Sequence, residues 1–138
     1  MTDREIAETL NRRLRDMVLT LRRITADQEI TSQQTSVLGS LEDGPRRMTD
    51  LAAEHGVRLP TMTAQVNRLE RDGRVVRGRD AADARVVTVE LTPHGRDGLR
   101  AARERRVALL AERVAALPAA DRDALAAALP ALGRLFTP

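Results

Sequence analysis

The sequence predicts a mainly α-helical (α+β) fold with about six helices and one two-stranded β-ribbon. Two observations between residues 48 and 95 carry this prediction. Two short amphipathic segments meet at a turn, and two runs of β-branched residues follow, separated by a polar loop. That order of elements is the plan of a winged helix-turn-helix, so DNA binding is the first function to consider.

A glycine and a proline mark the turn between the two short helices. Gly56 suits the left-handed conformation that ends a helix, and Pro60 suits a first helical turn, where no amide donor is needed. We expect the hydroxyl of Thr49 to cap the helix before the turn and to meet a DNA phosphate there. These signals place a helix boundary on each side of the turn.

The helix after the turn has a buried stripe and a polar, cationic side. Met62, Val66 and Leu69 recur at i, i+4 and i+7, which predicts that they belong to the core. The opposite side suits the major groove, where Arg68 can pair with guanine and Asn67 with adenine. The candidate DNA contacts on or beside it are Thr61, Thr63, Ala64, Gln65, Asn67, Arg68 and Arg71. For any one of them, ordinary solvated surface is the alternative.

The predicted ribbon is basic. Its strands are residues 74–77 and 86–91, and the loop between them runs from Gly78 to Arg85. Residues 58–85 include seven arginines and four acidic residues, although the net charge of the whole chain is only +3. Positive charge is therefore concentrated where the ribbon would approach phosphates. Arg77 and Arg79 are expected at the DNA backbone, with ordinary strand-edge charge as the alternative.

Three short motifs in this region resemble the MarR family of bacterial transcriptional regulators. They are the passage Leu69–Arg77 from helix to wing, the D-x-R element Asp83-Ala84-Arg85, and Val89–Thr92 followed by Gly95. The resemblance implies that Arg85 enters the minor groove. An ion pair of Arg85 with Asp80 or Asp83 that only shapes the loop is the alternative. Many members of the family carry Arg where this sequence has Ala64, which implies a different operator or base reading by Thr61 and Thr63.

The outer segments are predicted to be long helices. An apolar stripe runs from Ile6 to Ile24, a capping box at Thr31 and Gln34 opens a second helix, and Thr92-Pro93 opens the helix after the wing. Pro130 is expected to kink the last helix. We predict one domain, residues 1–138, with residues 31–93 as the DNA-binding region. Residues 1–30 and 94–138 are predicted to form a homodimer, because their apolar stripes have little else to cover them.

The resemblance also implies a small aromatic or phenolic acid that releases the protein from a palindromic operator in double-stranded DNA. We expect this effector in a cleft between the dimer helices and the winged region. The candidate lining residues are Leu14, Met17, Leu21, Val37 and Leu41. The alternative is that these five side chains are simply core.

The composition argues against several other classes of protein. There is no Cys, which excludes disulfides and thiol switches, and two scattered histidines do not suggest a metal site. No catalytic constellation, cofactor motif, signal peptide or membrane span is recognisable, so we expect a cytoplasmic, non-enzymatic protein without a cofactor. Two rivals to a sequence-specific repressor remain open: a non-specific architectural DNA-binding protein and a helical protein-interaction module.

Overall fold

A computed structural model describes residues 1–137, in which six helices and three short strands are present. The helices are α1 (Asp3–Thr25), α2 (Ser32–Ser40), α3 (Met48–Glu54), α4 (Leu59–Arg71), α5 (Pro93–Ala115) and α6 (Ala119–Phe136). The strands are β1 (Arg46–Arg47), β2 (Val75–Arg79) and β3 (Val87–Leu91). The predicted fold class is confirmed. The sheet, however, has a third strand that the sequence did not predict.

The chain divides into two compact units. The first, Met1–Ala102, contains α1 to α4, the three strands and the first part of α5. The second, Arg103–Pro138, contains the rest of α5 and all of α6. The division into dimerisation helices and a DNA-binding region stays a prediction. None of the helices in residues 1–137 is long and apolar enough to cross a membrane.

The core of the first unit lies where α2, α3, α4 and the sheet meet. The predicted stripe of Met62, Val66 and Leu69 is fully buried, at 0% exposure for each residue. The other buried members of this cluster are Ile30, Val37, Leu38, Leu41, Met48, Leu51, Ala52, Val75, Val89 and Leu99. One side of α4 is thus held rigidly, and its opposite side is left for solvent or a partner.

The three strands form an antiparallel sheet in the order β1-β3-β2. In the β2-β3 ribbon, Val75 pairs with Leu91 and Arg79 with Val87, while β1 pairs Arg46 with Val89. The sequence did not predict β1 because two residues are too few to show an alternating pattern. The predicted strand of residues 74–77 begins one residue later and extends to Arg79, and the predicted strand of residues 86–91 also begins one residue later.

The helix ends follow local signals in most places. The capping box of Thr31 and Gln34 at the start of α2 is confirmed, as is the left-handed conformation of Gly56, with φ of +63°. The prediction that Thr49 caps α3 is wrong. The N-cap is Arg47, and Thr49 lies inside the first turn. Strand β1 runs directly into this helix, so the capping position is occupied by a residue whose backbone also pairs with β3.

Helix α5 begins at the predicted Thr92-Pro93 and is attached there to the start of the ribbon. The hydroxyl of Thr92 donates to the carbonyl of Gly73 at 2.6 Å and accepts from the amide of Gly95 at 3.0 Å. In the second unit, α6 is helical from Ala119 to Phe136 with Pro130 inside it. The kink expected at that proline stays a prediction.

Candidate nucleic-acid interface

The side of α4 opposite the core carries the polar residues that the sequence singled out. Thr61, Ala64, Asn67, Arg68 and Arg71 are exposed, and Thr63 and Gln65 are half-buried. Within residues 1–137, Arg68 and Arg71 make no side-chain hydrogen bond or ion pair. Both guanidinium groups are therefore available to an external anion.

A cleft of about 450 Å³ lies between the first turns of α3 and α4 and the wing, which we define as residues 75–91. Its polar lining is Arg47, Thr49, Thr63, Arg77 and Arg85, and its apolar lining is Met48, Leu59, Val86 and Val87. None of these nine described residues is acidic. Guanidinium and hydroxyl groups are the donors that proteins use against phosphate oxygens. The cleft thus has the chemistry of a surface that binds a polyanion.

Asp80 organises the tip of the wing and ties it to the start of α3. Its carboxylate accepts from Nε and Nη2 of Arg47, both at 3.3 Å, and from the amides of Ala82 and Asp83, both at 3.1 Å. Desolvation acts to raise the pKa of Asp80, but the amide of Ala82 and the other donors outweigh it and lower the pKa. The charged form of Asp80 therefore holds the loop in one conformation.

Arg85 projects from the loop and is paired with Asp83. Its Nε and Nη2 donate to Oδ1 and Oδ2 of Asp83 at 3.0 and 3.1 Å, while its side chain is 91% exposed. The side-chain hydrogen bonds with Arg85, followed by the Arg85 amide, lower the pKa of Asp83, and the same pair raises the pKa of Arg85. The pair restricts the arginine without burying it.

Arg77 connects the ribbon to α4. Its Nη1 donates to Oε1 of Glu70 and its Nη2 to Oδ1 of Asn67, each at 2.6 Å. The backbone amide of Arg77 also donates to Oε2 of Glu70 at 3.3 Å. Strand β2 and the outward side of α4 therefore form one continuous hydrogen-bonded surface.

The chain is similar to known transcriptional regulators along most of its length. A family model described as MarR family matches residues 28–86. An uncharacterized HTH-type transcriptional regulator of Mycobacterium bovis is 31% identical over 128 residues, which make up 92% of this chain and 90% of that protein. The chain belongs to the MarR family. As a member of this family it is a DNA-binding transcriptional regulator.

Two solved structures of MarR-like fold extend the similarity. The transcriptional regulator BldR of Sulfolobus solfataricus is 28% identical with a TM-score of 0.74, over 97% of this chain and 99% of that one. The transcriptional repressor CouR, solved on a 23-mer DNA duplex, is 29% identical with a TM-score of 0.71, over 96% of this chain and 98% of that one. Both similarities include the helix-turn-helix and the wing.

One arginine beside the wing of this MarR-family protein is not on the surface. Arg74 is only 3% exposed, and its Nη2 contacts Oε1 of Glu29 at 2.9 Å. It belongs to the seven arginines that the sequence concentrates near the ribbon, but its guanidinium is enclosed beside Gly98 and Ile30. The exposed charge of the region is accordingly smaller than the sequence suggested. Arg79, by contrast, is exposed and unpaired within residues 1–137.

The five residues predicted to line an effector pocket lie in different environments. Val37 and Leu41 are buried in the core, each 1% exposed, and Leu14 and Leu21 are half-buried. Met17 is 58% exposed. Their role as a pocket stays a prediction.

Three residues contribute to the interface in ways that the sequence did not predict, although Asp80 was considered as a partner of Arg85. Arg47 lines the cleft, Asp80 holds the loop, and Glu70 holds Arg77. The Arg46-Arg47 pair before α3 was the available signal for the first. Asp80 is 33 residues from its partner Arg47 in sequence, and Glu70 is seven residues from its partner Arg77. Only the fold brings these partners together.

Proposed function

We propose that this MarR-family protein is a homodimeric, cytoplasmic repressor that binds a palindromic operator in double-stranded DNA. The observation that carries the proposal is the cleft in which Arg47, Arg77 and Arg85 converge beside the polar side of α4 without an acidic lining residue. A helix with such a side fits the major groove, and the wing then lies over the adjacent minor groove.

In this proposal the contacts divide into base readers and backbone contacts. The side chains assigned to base edges are those on α4: Thr61, Thr63, Ala64, Gln65, Asn67 and Arg68. The groups assigned to phosphates are Thr49, Arg71, Arg77 and Arg79. Thr49 is suited to this role even though it does not cap α3, because it lines the cleft in the first turn of that helix.

Arg85 is assigned to the minor groove. Its side chain extends almost fully into solvent, and the pairing with Asp83 reduces the number of conformations it can adopt before DNA binds. A narrow, A·T-rich minor groove has a strong negative potential that attracts a guanidinium. The Asp83 pair therefore positions the arginine, and binding need not break it.

The two terminal segments are assigned to the dimer contact. In α1, Ile6 is 50% and Met17 58% exposed, and in α6, Leu129 is 58% and Phe136 58% exposed. Apolar side chains repeated along a helix in this way are typical of surfaces that a second chain covers. A two-fold dimer would present two copies of α4 to DNA, which explains the proposed palindrome.

Footprinting on a duplex selected from a random library tests this arrangement. We expect two protected half-sites related by two-fold symmetry, with centres about 10 base pairs apart or a multiple of that distance. Protection of a single asymmetric site would contradict the dimeric mode of binding. Uniform protection of every duplex would instead indicate an architectural protein.

We further propose that a small aromatic or phenolic acid releases the protein from DNA. The support is the family resemblance together with two half-buried side chains of α1, Leu14 and Leu21. Salicylate titrated into the complex with its operator tests this step, and we expect DNA affinity to fall. Unchanged affinity up to millimolar salicylate would contradict a phenolate sensor while leaving the DNA-binding proposal intact.

A further inference from the structure

Asn67 does not project from α4 as a free amide. Nη2 of Arg77 lies 2.6 Å from Oδ1 of Asn67, and Glu70, one turn further along α4, holds Nη1 of the same guanidinium at 2.6 Å. The Arg77 and Glu70 side chains are 28% and 39% exposed, so this pair is partly shielded from water. Asn67 itself remains exposed.

The chemistry of the guanidinium determines which atom of the amide it contacts. Arginine donates hydrogen bonds and accepts none, so the atom of Asn67 beside it is the carbonyl oxygen. The two hydrogens of Nδ2 are then left for other partners. Oδ1 has already accepted one hydrogen bond, and a positive charge stands next to it, which disfavours a second approaching donor.

This arrangement changes the base that Asn67 can read. A free asparagine pairs with adenine by accepting from N6 and donating to N7. With Oδ1 held by Arg77, the amide presents donors only, and donors match the major-groove keto oxygens, O6 of guanine and O4 of thymine. Adenine keeps its N7 acceptor, but its N6 amino group, like N4 of cytosine, presents a donor where the keto bases present an acceptor, so both match the amide less well than guanine and thymine do.

We infer that Arg77 is a positioning residue that sets the specificity of Asn67 for a keto base. The inference rests on the proposed function, because it needs α4 in the major groove. It replaces the expectation that Asn67 pairs with adenine. It also gives Arg77 a role beyond contact with the DNA backbone.

Selection of duplexes from a random library tests the inference with matched variants of the full-length protein. Wild type should show one position in each half-site that favours guanine or thymine by about fivefold or more, the lower end of what a good base contact supplies. Asn67→Ala should lose that preference. Arg77→Met, which frees Oδ1 and keeps an apolar side chain of similar length, should change the preference to adenine.

Arg79→Met is the control for lost charge. Arg79 lies on the same strand and has no partner within residues 1–137, so its replacement should weaken binding to all duplexes without changing any base preference. The same base preferences in Arg77→Met and Arg79→Met would overturn the inference. A wild type that selects no sequence would overturn the proposed function itself.

A second substitution keeps the test independent of how well Arg77→Met folds. Asn67→Asp retains an oxygen for Arg77 and replaces the outward amide by a second acceptor. We expect the preferred base at the same position to change from a keto base to cytosine or adenine. Equal loss of affinity for every duplex in Asn67→Asp would contradict the assigned orientation of the amide.

Discussion

Asp83 and Arg85 show how an ion pair at the protein surface can matter without adding much stability. Such pairs are screened by water and contribute little to folding. Their hydrogen-bond geometry nevertheless restricts the position of Arg85 before DNA is present. The pair therefore favours DNA binding rather than folding, because Arg85 has fewer side-chain conformations to lose when the complex forms.

The carboxyl of Asp83 should titrate at a lower pH than an ordinary aspartate, because its charged form accepts hydrogen bonds from Arg85. The folded pKa lies below the unfolded value of about 3.9. The contribution of the pair to stability is therefore present above about pH 4 and is lost as the pH falls through the folded pKa. Carbon-detected NMR titration of the Asp83 carboxyl measures this pKa directly.

Arg85→Ala should return the pKa of Asp83 toward its ordinary value. Arg79→Ala removes an equal charge from the wing and should leave the Asp83 titration unchanged. An ordinary Asp83 pKa in the wild type would contradict the pair seen in the structure.

For individual side chains, the sequence was sufficient to predict a contact when the two partners are close along the chain. The D-x-R spacing made an Asp83 pair with Arg85 a foreseeable alternative. The contact of Asn67 with Arg77 was not foreseen, because ten residues separate them and only the packing of β2 on α4 brings them together.

Among the secondary-structure elements, the start of α5 lies close against the residue before β2. Both Thr92 and Gly95 approach the backbone carbonyl of Arg74. A Cβ added at Gly95 would collide with the carbonyl of Arg74, which already accepts from the amide of Thr92 at 3.1 Å. Because the obstacle is backbone, no side chain can move aside. The helix and the start of β2 therefore approach as closely as a glycine allows.

Gly95→Ala should lower the free energy of unfolding by about 1–3 kcal/mol, the usual cost of overpacking. Gly133→Ala in α6 is the control, because nothing lies within 4 Å of the added carbon. It should raise the same free energy by up to about 1 kcal/mol through helix propensity. Urea unfolding at one protein concentration compares the two variants, and equal effects would contradict the close approach.

The wing loop should lose its order when its link to α3 is removed. In Asp80→Ala, the amides of Ala82 and Asp83 lose their acceptor and Arg47 loses its partner. We expect hydrogen exchange at both amides to accelerate severalfold or more. Asp72→Ala, which removes an exposed carboxylate with no side-chain partner in residues 1–137, should leave their exchange unchanged. Unaltered exchange in Asp80→Ala would show that the loop is held by other means.

Most helices could be predicted because their periodicity and capping residues are local. Strand β1 and the cap of α3 could not. Arg47 ends the strand and also occupies the N-cap position, without a side-chain capping hydrogen bond, so the hydroxyl of Thr49 was a misleading signal.

For the whole molecule, the proposed dimer explains why so many apolar side chains are exposed in a single chain. In α6 alone, Leu125 is 39%, Leu129 58% and Leu135 59% exposed. No residue of this helix within the described part of the chain is buried. A second copy of the chain is the partner that we propose for this surface.

Sedimentation equilibrium at micromolar concentration should give twice the mass of one chain for the wild type. Leu129→Lys should shift the distribution toward the single chain, because it places a charge on the proposed contact. Val76→Lys, the same kind of change at an exposed position of β2, should leave the distribution of mass unchanged. A wild type with the mass of one chain would contradict the dimer.

The family and fold could be predicted from the sequence because the wing motifs are short, local and ordered. The assignment of the dimer contact and effector pocket rests on patterns that also occur in ordinary cores. Val37 and Leu41 illustrate the difficulty, since both are buried in the first unit and would be apolar with or without an effector.

The most direct test of the proposed regulator is the ratio of its affinities for a selected duplex and for random duplex. We would measure this ratio at two salt concentrations with wild type and Arg85→Ala. We expect wild type to bind the selected duplex at least about 1,000-fold more tightly, as sequence-specific proteins do, and Arg85→Ala to lose much of that margin. Equal and steeply salt-dependent affinity for both duplexes would contradict sequence-specific regulation.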